Sequence, residues 1–311
     1  MGPDPSPSSP GRLTRPGGWG QAGRGRRAGG AGLDNGVFVA VLVAALLHAG
    51  WNALVKLGLD RRSTMLLIAL AQGIIALGFL PFAPLPQRVV WAWLAGSAVL
   101  HVGYNAFLAE AYAHADLSQA YPLARGSAPL IVAAVSAAAG VRIAPGEWLA
   151  MGAISAGILV MALRGSGRGR MRGPGLFWAI GTAAFTAGYT LVDGLGARAA
   201  GGALAYVPWM ALGEALGMAA FAAAARGPRA FAALAPVWRR GLLAGGMSFA
   251  SYGIAIWGFT VAPIALVAAL RESSILFAML IAVVLLGEPA DRWRWAAAGA
   301  IAGGVALMRL A

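Results

Sequence analysis

The sequence predicts an all-α integral membrane protein with ten transmembrane helices, arranged as two inverted five-helix repeats. Three observations predict this class. First, 59% of the 311 residues are hydrophobic and 11% are charged, with a mean hydropathy of +0.72. Soluble domains are about 45–50% apolar and about 25% charged. Second, ten apolar stretches approach the roughly 20 residues that a helix needs to cross a bilayer. Third, similar residues recur at fixed offsets in the two halves of the chain.

Residues 1–36 differ in composition from the rest of the chain. They include GRLTRPGGWGQAGRGRRAGGAG, which is rich in glycine and arginine and has no apolar periodicity. Such a segment does not bury enough apolar surface to fold, so we expect a disordered basic tail. An RNA- or lipid-binding tail is the alternative. The apolar run from Val37 continues without a cleavage site, which argues against a signal peptide.

Ten apolar segments follow this tail. The first half, residues 37–163, contains segments 37–56, 64–82, 91–113, 118–139 and 147–163, and the second half, residues 174–310, contains segments 174–193, 203–224, 241–260, 262–286 and 292–310. Most arginines lie in the tail or in the short gaps, where they orient helices against the membrane. The formal charge of +13 therefore predicts a lipid bilayer and no nucleic acid as partner. The distribution of arginines between the two sides of the membrane favours both termini on the outer side, and the orientation of the chain stays open.

The two halves share an internal order of residues. Arg125 and Arg271 are 146 residues apart, and the same offset matches Ser127 with Ser273, Leu130 with Leu276 and Gly157 with Gly303. The stretch HAGWNALV, residues 48–55, resembles TAGYTLVD, residues 186–193, at an offset of 138. Because each half has an odd number of segments, the second half must enter the membrane from the opposite side. Inverted repeats of this kind place a binding site near the midplane.

Four stretches of the chain resemble the EamA-like family of the drug/metabolite transporter superfamily. They are HAGWNALVK, YPLARGSAPL, ALRESSILFAMLIAVVLLGEP and the closing GAIAGGVALMRL, and the resemblance covers about residues 37–310. It implies a multi-pass protein of the cytoplasmic membrane that moves small metabolites by alternating access through a central cavity. It also implies that both termini are cytoplasmic, which is opposite to the orientation that the distribution of arginines favours. The resemblance does not name a substrate.

Polar side chains within the apolar segments are the candidates for function. An ionisable group at the bilayer centre costs about 2.5–3.5 kcal/mol on insertion scales, so it normally faces the bundle interior or a wet cavity. The ionisable set comprises His48, His101, Arg125, Arg271, Glu110, Glu214 and Glu272. The predicted substrate-binding residues are His48, Trp51, Asn52, His101, Tyr104, Asn105, Tyr121, Arg125, Tyr189, Ser251, Tyr252 and Arg271.

The two arginines indicate the charge of the solute. A guanidinium offers a planar fork to a carboxylate or phosphate, so we expect an anionic or zwitterionic metabolite such as an amino acid or organic acid. The structural alternative is that both arginines pair with glutamates. Binding is favoured for Arg125, where Tyr121 and Ser118 extend a polar face, over Arg271, whose neighbour Glu272 offers an internal network. Glu272 lies about 100° around the helix from Arg271, so the two need not pair with each other. Glycines at i,i+4, Gly241 with Gly245 and Gly299 with Gly303, predict helix-packing faces.

Enzymatic motifs are missing from the sequence. It has no HExxH, no G-x-S-x-G and no phosphate loop followed by lysine, so we expect no catalytic residue, metal site or cofactor. The lack of cysteine excludes disulfides and thiol chemistry. An exporter of small cationic drugs is the alternative, although the first segment lacks the acidic residue that related multidrug exporters use. An intramembrane lipid-modifying enzyme is the alternative of a different class. We expect a monomer or homodimer.

Overall fold

The computed structural model describes residues 33–55, 61–115, 117–164, 173–285, 287 and 289–311. Over these residues the chain is helical and contains no strand. Most of the predicted disordered tail lies outside the described residues, as do Leu286 and Glu288 of the LLGEP stretch.

Helices lie over all ten predicted apolar segments. In the first half they are α1 (Asn35–Val55), α2 (Arg61–Phe79), α3 (Arg88–His114), α4 (Leu117–Ala138) and α5 (Pro145–Arg164). In the second half they are α6 (Gly173–Ala199), α7 (Ala203–Arg226), the one-turn α8 (Arg229–Ala232), α9 (Trp238–Val261), α10 (Ile264–Arg271), α11 (Ser274–Val284) and α12 (Arg292–Leu310).

Six stretches among the described residues are long and apolar enough to cross a membrane. They are Asn35–Leu54, Ser63–Phe82, Gly173–Ala199, Ala203–Arg226, Arg229–Val261 and Ile264–Val284. The shorter apolar helices Pro122–Ala138 and Pro145–Met161 fall below that length. The chain is thus a helical multi-pass membrane protein, and the tenfold crossing stays a prediction.

The ninth apolar segment, predicted as one helix over 262–286, is broken in the structure. Helix α10 ends at Arg271 and α11 begins at Ser274. Between them the backbone tightens: the amide of Glu272 donates to the Ala269 carbonyl and that of Ser273 to the Leu270 carbonyl, both at 3.1 Å. Serines favour such local alternatives to the regular helix ladder. The break leaves Arg271 and Glu272 on two different structural elements.

Helix α6 is longer than the predicted segment 174–193 and continues to Ala199. Its last turns are buried because Gly194 and Gly196 admit the side chains of Ile264 and Tyr206 at short range. Near its end, Arg198 donates from Nε to the Phe259 carbonyl and from Nη2 to the Ala262 carbonyl, both at 2.8 Å. These bonds satisfy carbonyls at the carboxyl end of α9, which would otherwise lack helical partners.

Two glycine pairs were predicted to form packing faces, and one of them does. A side chain at Gly241 would meet Leu67 at 2.5 Å and one at Gly245 would meet Ala71 at 2.4 Å, so α9 packs closely on α2. The prediction for Gly299 and Gly303 is wrong within the chain, because a Cβ at either meets no atom of the described residues within 4 Å.

Helix α12 packs through the neighbouring face instead. A Cβ at Gly304 would lie 2.8 Å from the carbonyl oxygen of Ala150 on α5. The i,i+4 spacing identifies a face of small residues, but it does not state which of two adjacent faces meets another helix.

Candidate functional site

A buried ion pair joins the two halves of the chain. Arg125 Nε on α4 donates to Glu272 Oε2, which follows α10, at 2.8 Å, and the two side chains are 4% and 2% exposed. Glu272 therefore pairs with Arg125 rather than with its neighbour Arg271. The sequence interpretation favoured Arg125 for binding and offered Glu272 to Arg271 as part of an internal network, whereas in the structure Glu272 pairs with Arg125. About 100° separates adjacent residues around a helix, so neighbours in sequence point to different helices.

Arg271 is buried without such an ion pair. It is 4% exposed, and no carboxylate of the described residues is found in an ion pair with it. Its guanidinium carbon lies 5.2 Å from the ring centroid of Tyr252, a cation–π distance. Its Nε has no hydrogen-bond partner in the described part of the chain, and neither has the buried Ser273 Oγ two residues on. Buried polar atoms are normally satisfied, so two unsatisfied atoms beside one helix break need an explanation.

Four aromatic side chains from three helices form a cluster beside this break. His101 of α3 stacks on Tyr189 of α6 with ring centroids 4.2 Å apart. Tyr104 and Tyr252 meet the Tyr189 ring edge to face at 5.7 and 6.1 Å. All four residues were predicted site residues, and the fold brings them together.

Asp193 completes this cluster and is missing from the predicted site. It is fully buried, and its two carboxylate oxygens accept hydrogen bonds from the hydroxyls of Tyr206, at 3.0 Å, and Tyr252, at 2.6 Å. His101 Nε2 lies 3.9 Å from Asp193 Oδ2. The available signal was the aspartate in GYTLVDGLG. Ending the sixth segment at residue 193 placed it at a membrane surface, whereas α6 continues past it.

The predicted residues of α1 form a local group. The rings of His48 and Trp51 meet edge to face at 5.1 Å, and Asn52 Nδ2 donates to the His48 carbonyl at 2.8 Å. The Trp51 indole N–H is buried and has no acceptor in the described residues. Arg125 and Arg271 both lie within electrostatic range of His48, which associates this group with the helix break.

Three further predicted residues have different surroundings. Ser251 donates to the Ala44 carbonyl at 2.7 Å and thereby joins α9 to α1, so its hydroxyl is engaged in helix packing. Asn105 Nδ2 donates to the His101 carbonyl at 2.9 Å, and its Oδ1 has no donor in the described residues. The side chain of Tyr121 lies outside the described part of the structure.

A cavity of about 300 Å³ lies among α2, α3, α6 and α7. Most of its wall is apolar, with Phe107, Trp178, Met218 and Phe221 among the lining residues. Asn105, one helical turn from His101, also lines it and connects the cavity to the aromatic cluster. Ligand sites of this kind combine an apolar wall with a few polar groups, over volumes of about 300–1,000 Å³.

Intramembrane ionisable groups often mark solute or ion pathways, so buried charges beside a cavity are features of membrane transport proteins. Residues 173–310 match the model of the EamA-like transporter family, a family of the drug/metabolite transporter superfamily. Over these residues the match confirms the resemblance seen in the sequence. No curated protein matches the chain.

Solved structures show the same fold over most of the chain. Twenty-seven solved protein chains match it. One of them, titled only as a crystal structure of a protein, is 19% identical with a TM-score of 0.72, and the match covers 89% of this chain and 98% of the other. At this identity the likeness concerns the fold alone.

Proposed function

We propose that this protein is a secondary transporter that moves a small anionic or zwitterionic metabolite, such as an amino acid or organic acid, across the cell membrane. The observation that carries the proposal is Arg271, a buried guanidinium without an ion pair among the described residues. An unpaired buried cation is costly, so a site that retains one is suited to a ligand that supplies the negative charge.

The broken helix adds a second attraction for an anion. The amino-terminal end of α11 lies directly after Arg271, and a helix amino terminus carries partial positive charge. Discontinuous helices whose half-helix termini face anionic solute groups are a common design of transporters. The unsatisfied Ser273 hydroxyl at this terminus offers a further hydrogen bond to the solute.

Alternating access requires two halves that can rock against each other, and the helix packing supports an inverted repeat. We assign α1 to α5 of the first half to α6, α7, α9, α10–α11 and α12 of the second. Under this assignment each contact has an equivalent in the other half. The equivalent of α3 packed on α6 is α9 packed on α1, and that of α4 packed on α6 is α10–α11 packed on α1. The equivalent of α2 packed on α9 is α7 packed on α3. Contacts α2–α7 and α5–α12 map onto themselves. All of these helix pairs are in contact, as a two-fold relation requires.

Contacts between single residues of α5 and α12 support the same two-fold relation. A Cβ at Gly157 would meet the Ala297 carbonyl at 2.8 Å and Ile301, while one at Gly304 would meet the Ala150 carbonyl at 2.8 Å and Ile154. A shift of 147 residues exchanges the two sets. The offset between equivalent residues is 146 at the two arginines and 147 at the last helix. Under the offset of 147 the counterpart of Gly157 is Gly304 rather than Gly303.

The test is a solute panel on the purified protein. Thermal unfolding is followed with L-glutamate, L-malate, L-alanine and the lipophilic cation ethidium, because a ligand that binds the folded state raises its stability. Uptake of the stabilising solutes into proteoliposomes then follows. We expect stabilisation and uptake of an anion or zwitterion. Uptake of ethidium alone would support a cationic drug exporter, and recovery of a chemically altered solute would support an enzyme.

A further inference from the structure

We propose that His101 and Asp193 form a proton-binding site, and that one proton moves with each anion. The coupling of the proton to anion movement rests on the proposed transport function. The proton site itself rests on the geometry of the His101–Asp193 pair. Tyr252 connects the two sites: its hydroxyl donates to Asp193 Oδ2 at 2.6 Å, and the Arg271 guanidinium lies 5.2 Å from its ring centroid.

The hydrogen bonds of His101 fix its neutral form. Its Nδ1 lies 3.0 Å from the Ser97 carbonyl oxygen, which only accepts hydrogen bonds, so Nδ1 carries the proton. Nε2 is then a bare acceptor, and it faces Asp193 Oδ2, a second acceptor, at 3.9 Å. Two acceptors that face each other at this distance do not bond to each other. One added proton turns the contact into a charge-assisted hydrogen bond.

Charge balance explains why that proton would accompany an anion. Arg125 and Glu272 neutralise each other, and Arg271 and Asp193 carry opposite charges on the two ends of the Tyr252 contact. A bound monoanion that pairs with Arg271 leaves the Asp193 carboxylate as the uncompensated charge, which is costly in a medium of low dielectric constant. A proton between His101 and Asp193 restores the balance, and release of both resets the site.

Other titratable and charged groups surround the His101–Asp193 pair. Tyr206 and Tyr252 donate to Asp193 from α7 and α9. Glu214 of α7 lies within electrostatic range of both His101 and Asp193. Arg271 lies beyond Tyr252. Nε2 and Oδ2 are 3.9 Å apart, so we assign the added proton to the pair rather than to either residue alone.

The site is tested without any solute by nitrogen NMR of protein labelled with ¹⁵N-histidine in lipid. The chain has three histidines, so H101Q assigns the His101 signals and the other two serve as internal controls. We expect an Nδ1–H tautomer that gains a proton at Nε2 when the pH is lowered. In D193N this transition should move to lower pH, because the carboxylate that stabilises the imidazolium is gone. A titration unchanged by D193N, or no titration, would overturn the proposal.

Coupling is tested in proteoliposomes with the monoanion L-glutamate as the probe for accumulation, and with L-malate and L-alanine as further probes for exchange. One proton per monoanion predicts about tenfold accumulation of L-glutamate per unit of pH difference, since both ratios correspond to the same 1.36 kcal/mol. H101Q and D193N should lose this dependence of accumulation on the pH difference. Accumulation that persists in both variants contradicts coupling at this pair. If no probe is exchanged at all, the proposed function fails, and the NMR titration still decides the proton site.

Discussion

At the scale of single residues, the sequence identified both arginines as buried, but it left open which glutamate pairs with which arginine. A charge inside an apolar run is visible in any sequence. Its partner depends on helix rotation and on the break after Arg271, which sends Glu272 to Arg125. Asp193 was missed for a related reason, since its burial follows from how far α6 continues.

The Arg125–Glu272 pair should be a stability element. Removing one partner of a buried ion pair costs about 3–5 kcal/mol, because the other charge is left uncompensated. R125Q should therefore lower the melting temperature strongly, and R125Q/E272Q should recover much of the loss. Thermal unfolding of both single variants and the double variant measures the coupling. Additive losses would contradict a direct pair.

Tyr252 makes two contacts, one through its ring and one through its hydroxyl, and two substitutions distinguish them. Y252F keeps the ring beneath Arg271 and removes the hydroxyl that donates to Asp193, whereas Y252L removes both. We expect Y252F to retain anion binding with a stability loss of about 1–3 kcal/mol, the cost of an unsatisfied buried acceptor. Y252L should also weaken anion binding, measured as the thermal shift with L-glutamate or L-malate. Equal anion binding in the two variants would exclude a role for the ring.

At the scale of helices, apolar runs predicted every long element, because length and hydropathy are properties of one segment. The break within the ninth segment was not predicted, since it is set by contacts of α10 and Glu272 with other helices. The packing face of α12 also escaped prediction. Gly299, Gly303 and Gly304 all suit close packing, and only the position of α5 selects Gly304.

Adjacent glycines of α12 give a matched test of that packing. G304A places a Cβ 2.8 Å from the Ala150 backbone oxygen, which cannot yield as a flexible side chain would, so stability should fall by about 1–3 kcal/mol. G303A meets no described atom within 4 Å and should be neutral, or slightly stabilising through helix propensity. Thermal unfolding in the same lipid compares the two. A larger loss for G303A would show that α12 packs through its other face.

At the scale of the whole molecule, the sequence predicted a helical membrane protein, and residues 173–310 match the EamA-like family model, as the resemblance predicted for that part of the chain. Seven of the predicted site residues lie at the aromatic cluster, at the ion pair, at the helix break or beside the cavity. Residues from distant segments meet there because α3, α6 and α9 pack together. Ser251 was predicted to bind substrate, and in the structure its hydroxyl donates to the Ala44 carbonyl on α1, an acceptor that no side-chain pattern reports.

Anion transport by R271Q and R271K is the most direct measurement of the central claim. Uptake and exchange of L-glutamate and L-malate are compared at equal amounts of folded protein, with R125Q/E272Q as the variant that loses the ion pair but keeps Arg271. We expect R271Q to weaken anion affinity by about tenfold or more, the equivalent of one charge-assisted hydrogen bond of about 1.5–3 kcal/mol, with little loss of stability. R271K should recover part of it, since it keeps the charge without the planar fork. Unchanged anion affinity in R271Q, with a large loss of stability, would show that Arg271 holds the fold and binds no solute.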